Sequence, residues 1–164
     1  MKDNDNQIGF LHGNLLDFPY GITSIAHCCN TMNIMGAGIA KSIAERYPEA
    51  KQADDESAKG GLNILGEFSL AEVKVGDETK RIFNLYTQEE IGFGREVNYE
   101  ALYRNLLLLR NRLNFLNEKC LGIPYGMSSG LAGGSWKIVY AMIEHLYGGP
   151  QAYFKTYIVK LTEE

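Results

Sequence analysis

Three cysteines, four prolines and a single tryptophan in 164 residues exclude several classes of protein from the outset. Cys28, Cys29 and Cys120 include no pair spaced for zinc, and so few, odd in number, build no disulfide framework. That usage fits a reducing compartment. Basic residues are also in deficit. The 16 Lys and Arg against 20 Asp and Glu leave a net charge of −4, which argues against sequence-specific nucleic-acid binding through a basic surface. Small anionic ligands stay open, because helix ends and backbone amides bind phosphate without lysine. No apolar run approaches bilayer-spanning length, so no membrane contact is expected. Residues 1–7 are polar and acidic, unlike a secretory leader, and are expected to fray. A cytoplasmic location follows as the expectation, the host cytoplasm if the source is viral.

What the chain does have is an ordinary globular balance, 45% hydrophobic with 22% charged, which suits one domain over residues 1–164 with a real core. Residues 8–12 read as a first strand and the apolar run 22–29 as a buried second one. Ile39, Ala40, Ile43, Ala44 and Tyr47 then fall at helical spacing, and Tyr47-Pro48 ends that helix. An amphipathic piece follows over 49–59. Alternation over 67–75, turn chemistry at Gly76-Asp77 and a returning run at 81–87 predict a hairpin. From the N-cap Asn98, Leu102, Leu106, Leu109, Leu113 and Leu116 mark one face of a long helix. A short strand at 121–125, a helix at 136–147 closed by Gly148-Gly149-Pro150, and a last strand at 155–161 complete the order. Strands alternating with helices predict an α/β fold, a three-layer α/β/α sandwich around a mixed, mostly parallel sheet.

Two stretches stand out. Met35-Gly36-Ala37-Gly38-Ile39 and Gly126-Met127-Ser128-Ser129-Gly130-Leu131-Ala132-Gly133-Gly134 each lie between a strand and a helix. Glycine lets a backbone approach a phosphate, and the first N–H groups of a helix are unpaired and carry the positive end of its dipole. Two such loops at the carboxyl ends of strands predict a phosphate-bearing ligand held between them.

Gly13-Asn14-Leu15, Ile25-Ala26-His27-Cys28-Cys29-Asn30, Met35-Gly36-Ala37-Gly38-Ile39-Ala40 and Ser129-Gly130-Leu131-Ala132-Gly133-Gly134-Ser135-Trp136 together resemble the macro domain family of ADP-ribose binders. Asn84-Leu85-Tyr86-Thr87-Gln88, Arg95 and Asn98-Tyr99-Glu100-Ala101-Leu102 are similar to its phage and bacterial members. The likeness runs in order over residues 10–161. It implies that Asn14 and the Leu15 backbone meet the adenine edge, and that Asn30 bonds the distal ribose. It implies further that Gly36, Ala37, Gly38 and Ile39 lie along that ribose and the diphosphate. Ser128, Ser129, Gly130, Leu131 and Ala132 then match the loop whose amides hold the diphosphate. No metal and no cofactor are implied.

Departures from the family shape the expected chemistry. Where one branch uses a lysine and an aspartate to cleave ADP-ribose from its targets, this chain has Gln88 and Ala132, which form no imine and act as no base. His27 stands where many relatives carry asparagine, and there it resembles the ADP-ribose 1″-phosphate phosphatase branch. Near a terminal phosphate an imidazole can attack phosphorus or relay a proton. The sequence thus predicts a metal-independent phosphatase on ADP-ribose 1″-phosphate, with His27 and Asn30 catalytic. A non-catalytic reader or sponge of ADP-ribose, or of a related NAD-derived nucleotide, is the second reading. A hydrolase releasing ADP-ribose from modified protein or nucleic acid is the third. Beside these stand plainer roles: His27 as a satisfied histidine of an apolar strand, Cys28 and Cys29 as packing, Arg95 as a solvated arginine, and Trp136 as a helix-start packing residue.

Overall fold

Helical spacing and strand alternation sort the apolar residues into two cores, one on each face of a six-stranded sheet. The computed structural model describes residues 7–57, 63–89, 97–130 and 132–162. The expected fraying over 1–7 therefore lies outside the described residues except at Gln7, as do Arg95, Leu131 and the end of the predicted 49–59 helix. The elements are β1 (Ile8–His12), β2 (Ser24–Asn30), α1 (Gly38–Arg46), α2 (Pro48–Ser57), β3 (Phe68–Val75), β4 (Glu78–Gln88), α3 (Tyr99–Leu116), β5 (Cys120–Pro124), α4 (Trp136–Tyr147) and β6 (Lys155–Lys160). The sheet order is β1-β6-β5-β2-β4-β3, and only the β3/β4 hairpin is antiparallel.

The leucine stripe of α3 does what its spacing predicts. Leu102, Leu106, Leu109 and Leu113 are fully buried with Val139, Ile143 and Leu146 of α4 against Ala26, Phe83 and Leu121. Truncating one of these leucines to alanine costs about 2–5 kcal/mol. On the opposite face, Ile43 of α1, Tyr47 and Ala50 of α2 pack on Ile25, Ile82 and Val73. Asn98 caps α3 by accepting from the Ala101 amide. Pro48 starts α2 directly after α1 ends at Arg46, because proline tolerates the first helical turn and restricts the residue before it.

Two local differences from the sequence reading have clear causes. The β3/β4 pairing continues to Val75 and Glu78 around a left-handed Gly76, so β4 begins three residues earlier than the apolar pattern suggested. Two short 3-10 turns, Leu15–Asp17 and Pro19–Gly21, occupy a stretch with no periodic signal. The Asn14 side chain caps the first of them by accepting from the Leu16 amide.

The topology places the functional end. β2 and β5 are parallel neighbours, with Ser24 opposite Leu121 and Ile25 opposite Gly122, so their carboxyl ends leave the sheet side by side. Each strand then runs into one of the two glycine loops, and each loop into a helix.

Candidate functional site

The two loops close on one cavity of about 940 Å³. Asn14 and Leu15 line it on one side, Gly36, Ala37, Gly38 and Ile39 on another, and Ser128, Gly130 and Ala132 across from them. Asn30, Cys28 and Gln88 line it as well. Among the described residues its wall holds no carboxylate, imidazole, ammonium or guanidinium group.

The donors here are backbone. α1 opens at Ala37, whose extended backbone offers no side-chain cap, and the first α-helical bond runs from the Lys41 amide to the Ala37 carbonyl. The amides of Gly38, Ile39 and Ala40 are therefore left without helical acceptors, at the positive end of the helix dipole. In the second loop, the Met127, Ser129, Gly133 and Gly134 amides donate to Pro124, Gly126, Gly130 and Ser128 carbonyls. Those bonds fold the loop back on itself, with Ser128 left-handed at φ 65°. The Ser128, Gly130 and Ala132 amides stay outside that set. At Gly130 an added Cβ would meet nothing within 4 Å, and at Gly36 only Ile34 at 3.4 Å. Protein packing demands a glycine at neither place; both leave room for something else.

His27 lies elsewhere. Its side chain is fully buried and does not line the cavity. The parallel register sets it beside Asn84, on the face covered by α2. The Asn84 amide nitrogen donates to the Ala50 carbonyl and to Ser69 Oγ, which turns its oxygen toward His27. His27 Nε2 lies 2.6 Å from that oxygen and so must be the protonated nitrogen. Burial pulls the imidazole down to about 4, against which the Asn84 bond is the smaller effect. The neutral, enclosed ring has its donor committed and does not itself line the cavity; Cys29, whose sulfur lies 3.6–3.7 Å from the ring nitrogens, does.

Cys28 does face the cavity, with Ser128 Oγ donating to its sulfur at 2.9 Å. Burial pushes its thiol up to about 11, so it is a packing group and a hydrogen-bond partner at neutral pH rather than a thiolate.

No family model matches the sequence. A 17.5 kDa uncharacterized protein from the tk–vs intergenic region of Enterobacteria phage T4 is 31% identical over 124 residues, which cover 74% of this chain and 77% of that protein. Among solved structures, the macrodomain of Mycobacterium tuberculosis DarG superposes with a TM-score of 0.73 at 21% identity, covering 95% of this chain and 98% of the other. A Bacteroides thetaiotaomicron protein of unknown function reaches 0.81 at 18% identity, with 96% and 100% covered. Thermosipho africanus DarTG in complex with ADP-ribose matches at 0.73 and 15% identity over 89% of this chain, which spans 39% of that longer one. The chain belongs to the family of the phage T4 protein and is a macrodomain by fold.

Within this macrodomain the residues singled out from sequence divide into three groups. Asn14, Leu15, Asn30, Gly36, Ala37, Gly38, Ile39, Ser128, Gly130 and Ala132 line one cavity. Ser129 does not: both its amide and its hydroxyl donate to the Gly126 carbonyl, so it closes the loop's own turn. His27 is enclosed beneath α2 beside Asn84, on the same face of β2 as Cys29, which lines the cavity and whose sulfur lies 3.6 Å from His27 Nε2. Asn30 lines the cavity, yet its side chain braces the following loop. Its oxygen accepts from the Met32 and Ile34 amides, and its nitrogen donates to the Ile34 carbonyl. Sequence reading missed Tyr125, Ser42 and Leu161 in the lining. Tyr125 ends β5 and Leu161 follows β6, so carboxyl-end position was an available signal; Ser42 shows only through its place one helical turn beyond Gly38.

Proposed function

We propose that this macrodomain binds ADP-ribose, free or attached to a macromolecule, and holds its diphosphate by main-chain amides rather than by side-chain cations. The observation that carries the reading is the convergence of two glycine loops, each with uncommitted amides, on a single cavity. Anion binding by such amides draws on charge-assisted hydrogen bonds of about 1.5–3 kcal/mol each. The dipole at the start of α1 adds about 0.3–1 kcal/mol. The solved structure of DarTG with ADP-ribose, on the same fold, supports the choice of ligand. Asn14 suits the adenine edge through its free amide nitrogen and the second lone pair of its oxygen.

Hydrolysis of ADP-ribose 1″-phosphate is the finer expectation from sequence, and it rested on His27. That ring is buried beneath α2 and outside the cavity lining, neutral, and bonded to Asn84. Gln88 and Ala132 line the cavity where an imine-forming amine and a base serve other hydrolases, and neither can do that work. Recognition without turnover is therefore the reading we put forward. Titration calorimetry with ADP-ribose tests it: 1:1 binding is expected. A hundredfold excess of ligand over Kd should add about 2.7 kcal/mol to unfolding stability. Absence of both heat and stabilisation overturns the reading. Phosphate released from ADP-ribose 1″-phosphate by the wild type but not by His27→Ala would restore the phosphatase.

A further inference from the structure

One loop of the cavity is tied to a buried polar cluster that never touches the cavity itself. Asn33 sits in the loop between β2 and α1 with a left-handed φ of 59°. Its side-chain nitrogen donates to the Asp54 carbonyl at 2.6 Å, to Asp54 Oδ1 at 3.1 Å and to Ser57 Oγ at 3.3 Å. Its own carbonyl accepts from Lys51 Nζ at 2.8 Å. Three residues of α2, one turn apart, thus grip one loop residue from both ends. Asp54 is the hub. Its side chain is 1% exposed, and Oδ1 also accepts from the Tyr86 hydroxyl at 2.8 Å. Tyr86 is held in turn by Ser57 and Ser69, and Ser69 by Asn84, the partner of His27. Asp54 Oδ2 has no hydrogen-bond partner, and Lys51 Nζ stands 3.7 Å from it. Enclosing a carboxyl group that is only half satisfied is costly. Plain packing beneath α2 would be served as well by an apolar side chain. What an apolar side chain could not do is add Oδ1 to the main-chain carbonyl's hold on Asn33 and tie both to Tyr86.

The consequence reaches the ligand site. Asn33 lies three residues before Gly36, and five before Gly38, where the uncommitted amides of the first loop begin. With Asn30 bracing the near end through the Ile34 amide and carbonyl, the Asn33 clamp fixes the middle. The amides of residues 36–39 are then presented in one arrangement before ligand arrives. A loop that samples other arrangements lowers apparent affinity by the fraction of time it is competent.

Resting on the ADP-ribose reading above, we propose that Asn33 and Asp54 are positioning residues for ligand binding, acting through the β2–α1 loop without contacting ligand. Asn33→Gly removes the tether while keeping the left-handed conformation at no steric cost. It should weaken ADP-ribose binding about tenfold, within the range found for residues coupled to a site they do not touch. Asp54→Ala keeps the main-chain carbonyl bond and should cost less, about threefold, whereas Asp54→Asn retains the bonded side-chain oxygen and should match wild type. Hydrogen exchange on the ligand-free protein supplies the readout that a merely structural role would not move. In Asn33→Gly, the peptide carrying residues 34–39 should exchange faster while peptides from β2 and β5 do not. Should Asp54→Ala fail to fold, Asn33→Gly decides. Wild-type exchange over 34–39 in Asn33→Gly overturns the proposal, whatever the ligand. If the wild type binds no ADP-ribose, the functional reading fails and exchange alone judges the clamp.

Discussion

The cavity at the end of β2 and the space beneath α2 carry opposite kinds of polarity. In the cavity, main-chain amides face open space, and the polar side chains among the described residues are Asn, Gln, Ser, the Tyr125 phenol and the Cys28 and Cys29 thiols, both pushed up by burial. Beneath α2, His27, Asn84, Tyr86 and Asp54 are linked through Ser69 in hydrogen bonds of 2.6–3.0 Å. The imidazole and carboxyl of this cluster do not line the cavity. Among the described residues, the cavity wall holds no imidazole, carboxylate or ammonium group. That separation is what supports the proposal of recognition rather than turnover. The polar cluster serves to fix a shape, and the cavity uses that shape.

The largest effect expected from breaking this division concerns His27. Its folded value of about 4 lies below the unfolded 6.5. The unfolded chain therefore takes up a proton first as pH falls, and stability from this group is fully present above pH 6.5. It declines through the window from 6.5 to 4 and is flat below it. A gap of that size corresponds to about 3 kcal/mol. Chemical denaturation at half-unit steps should show the wild type losing that much relative to His27→Gln across the window. Parallel curves for the two proteins would mean that the ring is not enclosed.

The second loop offers two glycines with opposite roles. A Cβ at Gly134 would stand 2.5 Å from the Ser128 carbonyl oxygen and 2.8 Å from Val97. Gly134→Ala should therefore cost about 1–3 kcal/mol of stability and distort the loop that Ser128 anchors. At Gly130 the same methyl meets no protein atom within 4 Å. Gly130→Ala should leave the unfolding midpoint unchanged and lower ADP-ribose affinity about tenfold, because the methyl occupies ligand space. Calorimetry and thermal unfolding on the same two variants separate architecture from recognition. Equal affinity for Gly130→Ala and wild type would remove this loop from the site.

Features set by a few consecutive residues were legible in the sequence. The leucine stripe of α3, the Asn98 cap, the Pro48 boundary and both glycine loops all follow from spacing or from one residue's conformational habit. The direction of His27 was not. It depends on which strand pairs with β2, and its partner Asn84 is 57 residues away. Separation also hid the Asn33 clamp, whose partners Lys51, Asp54 and Ser57 lie 18–24 residues away on α2. Ser128 and Ser129 are chemically alike, and only the left-handed turn at Ser128 sends one hydroxyl to Cys28 and the other back to Gly126. Strand ends carry a usable signal that was passed over: Tyr125 lines the cavity because β5 stops there.

The smallest effect expected is also the sharpest test of how the anion is held. A diphosphate gripped by lysine or arginine side chains in water loses affinity steeply with salt, since exposed charges are screened over about 8 Å at physiological ionic strength. Amides and a helix terminus inside a cavity present partial charges at contact distance, where screening by mobile ions has little room to act. ADP-ribose affinity should therefore change by less than about twofold between 50 and 500 mM NaCl. A drop of tenfold or more over that range would place a full positive charge on the diphosphate. Arg95, in the stretch outside the described residues, would then be the side chain to replace by alanine. If Arg95→Ala abolished the salt dependence, it would move this macrodomain from amide recognition to cation recognition.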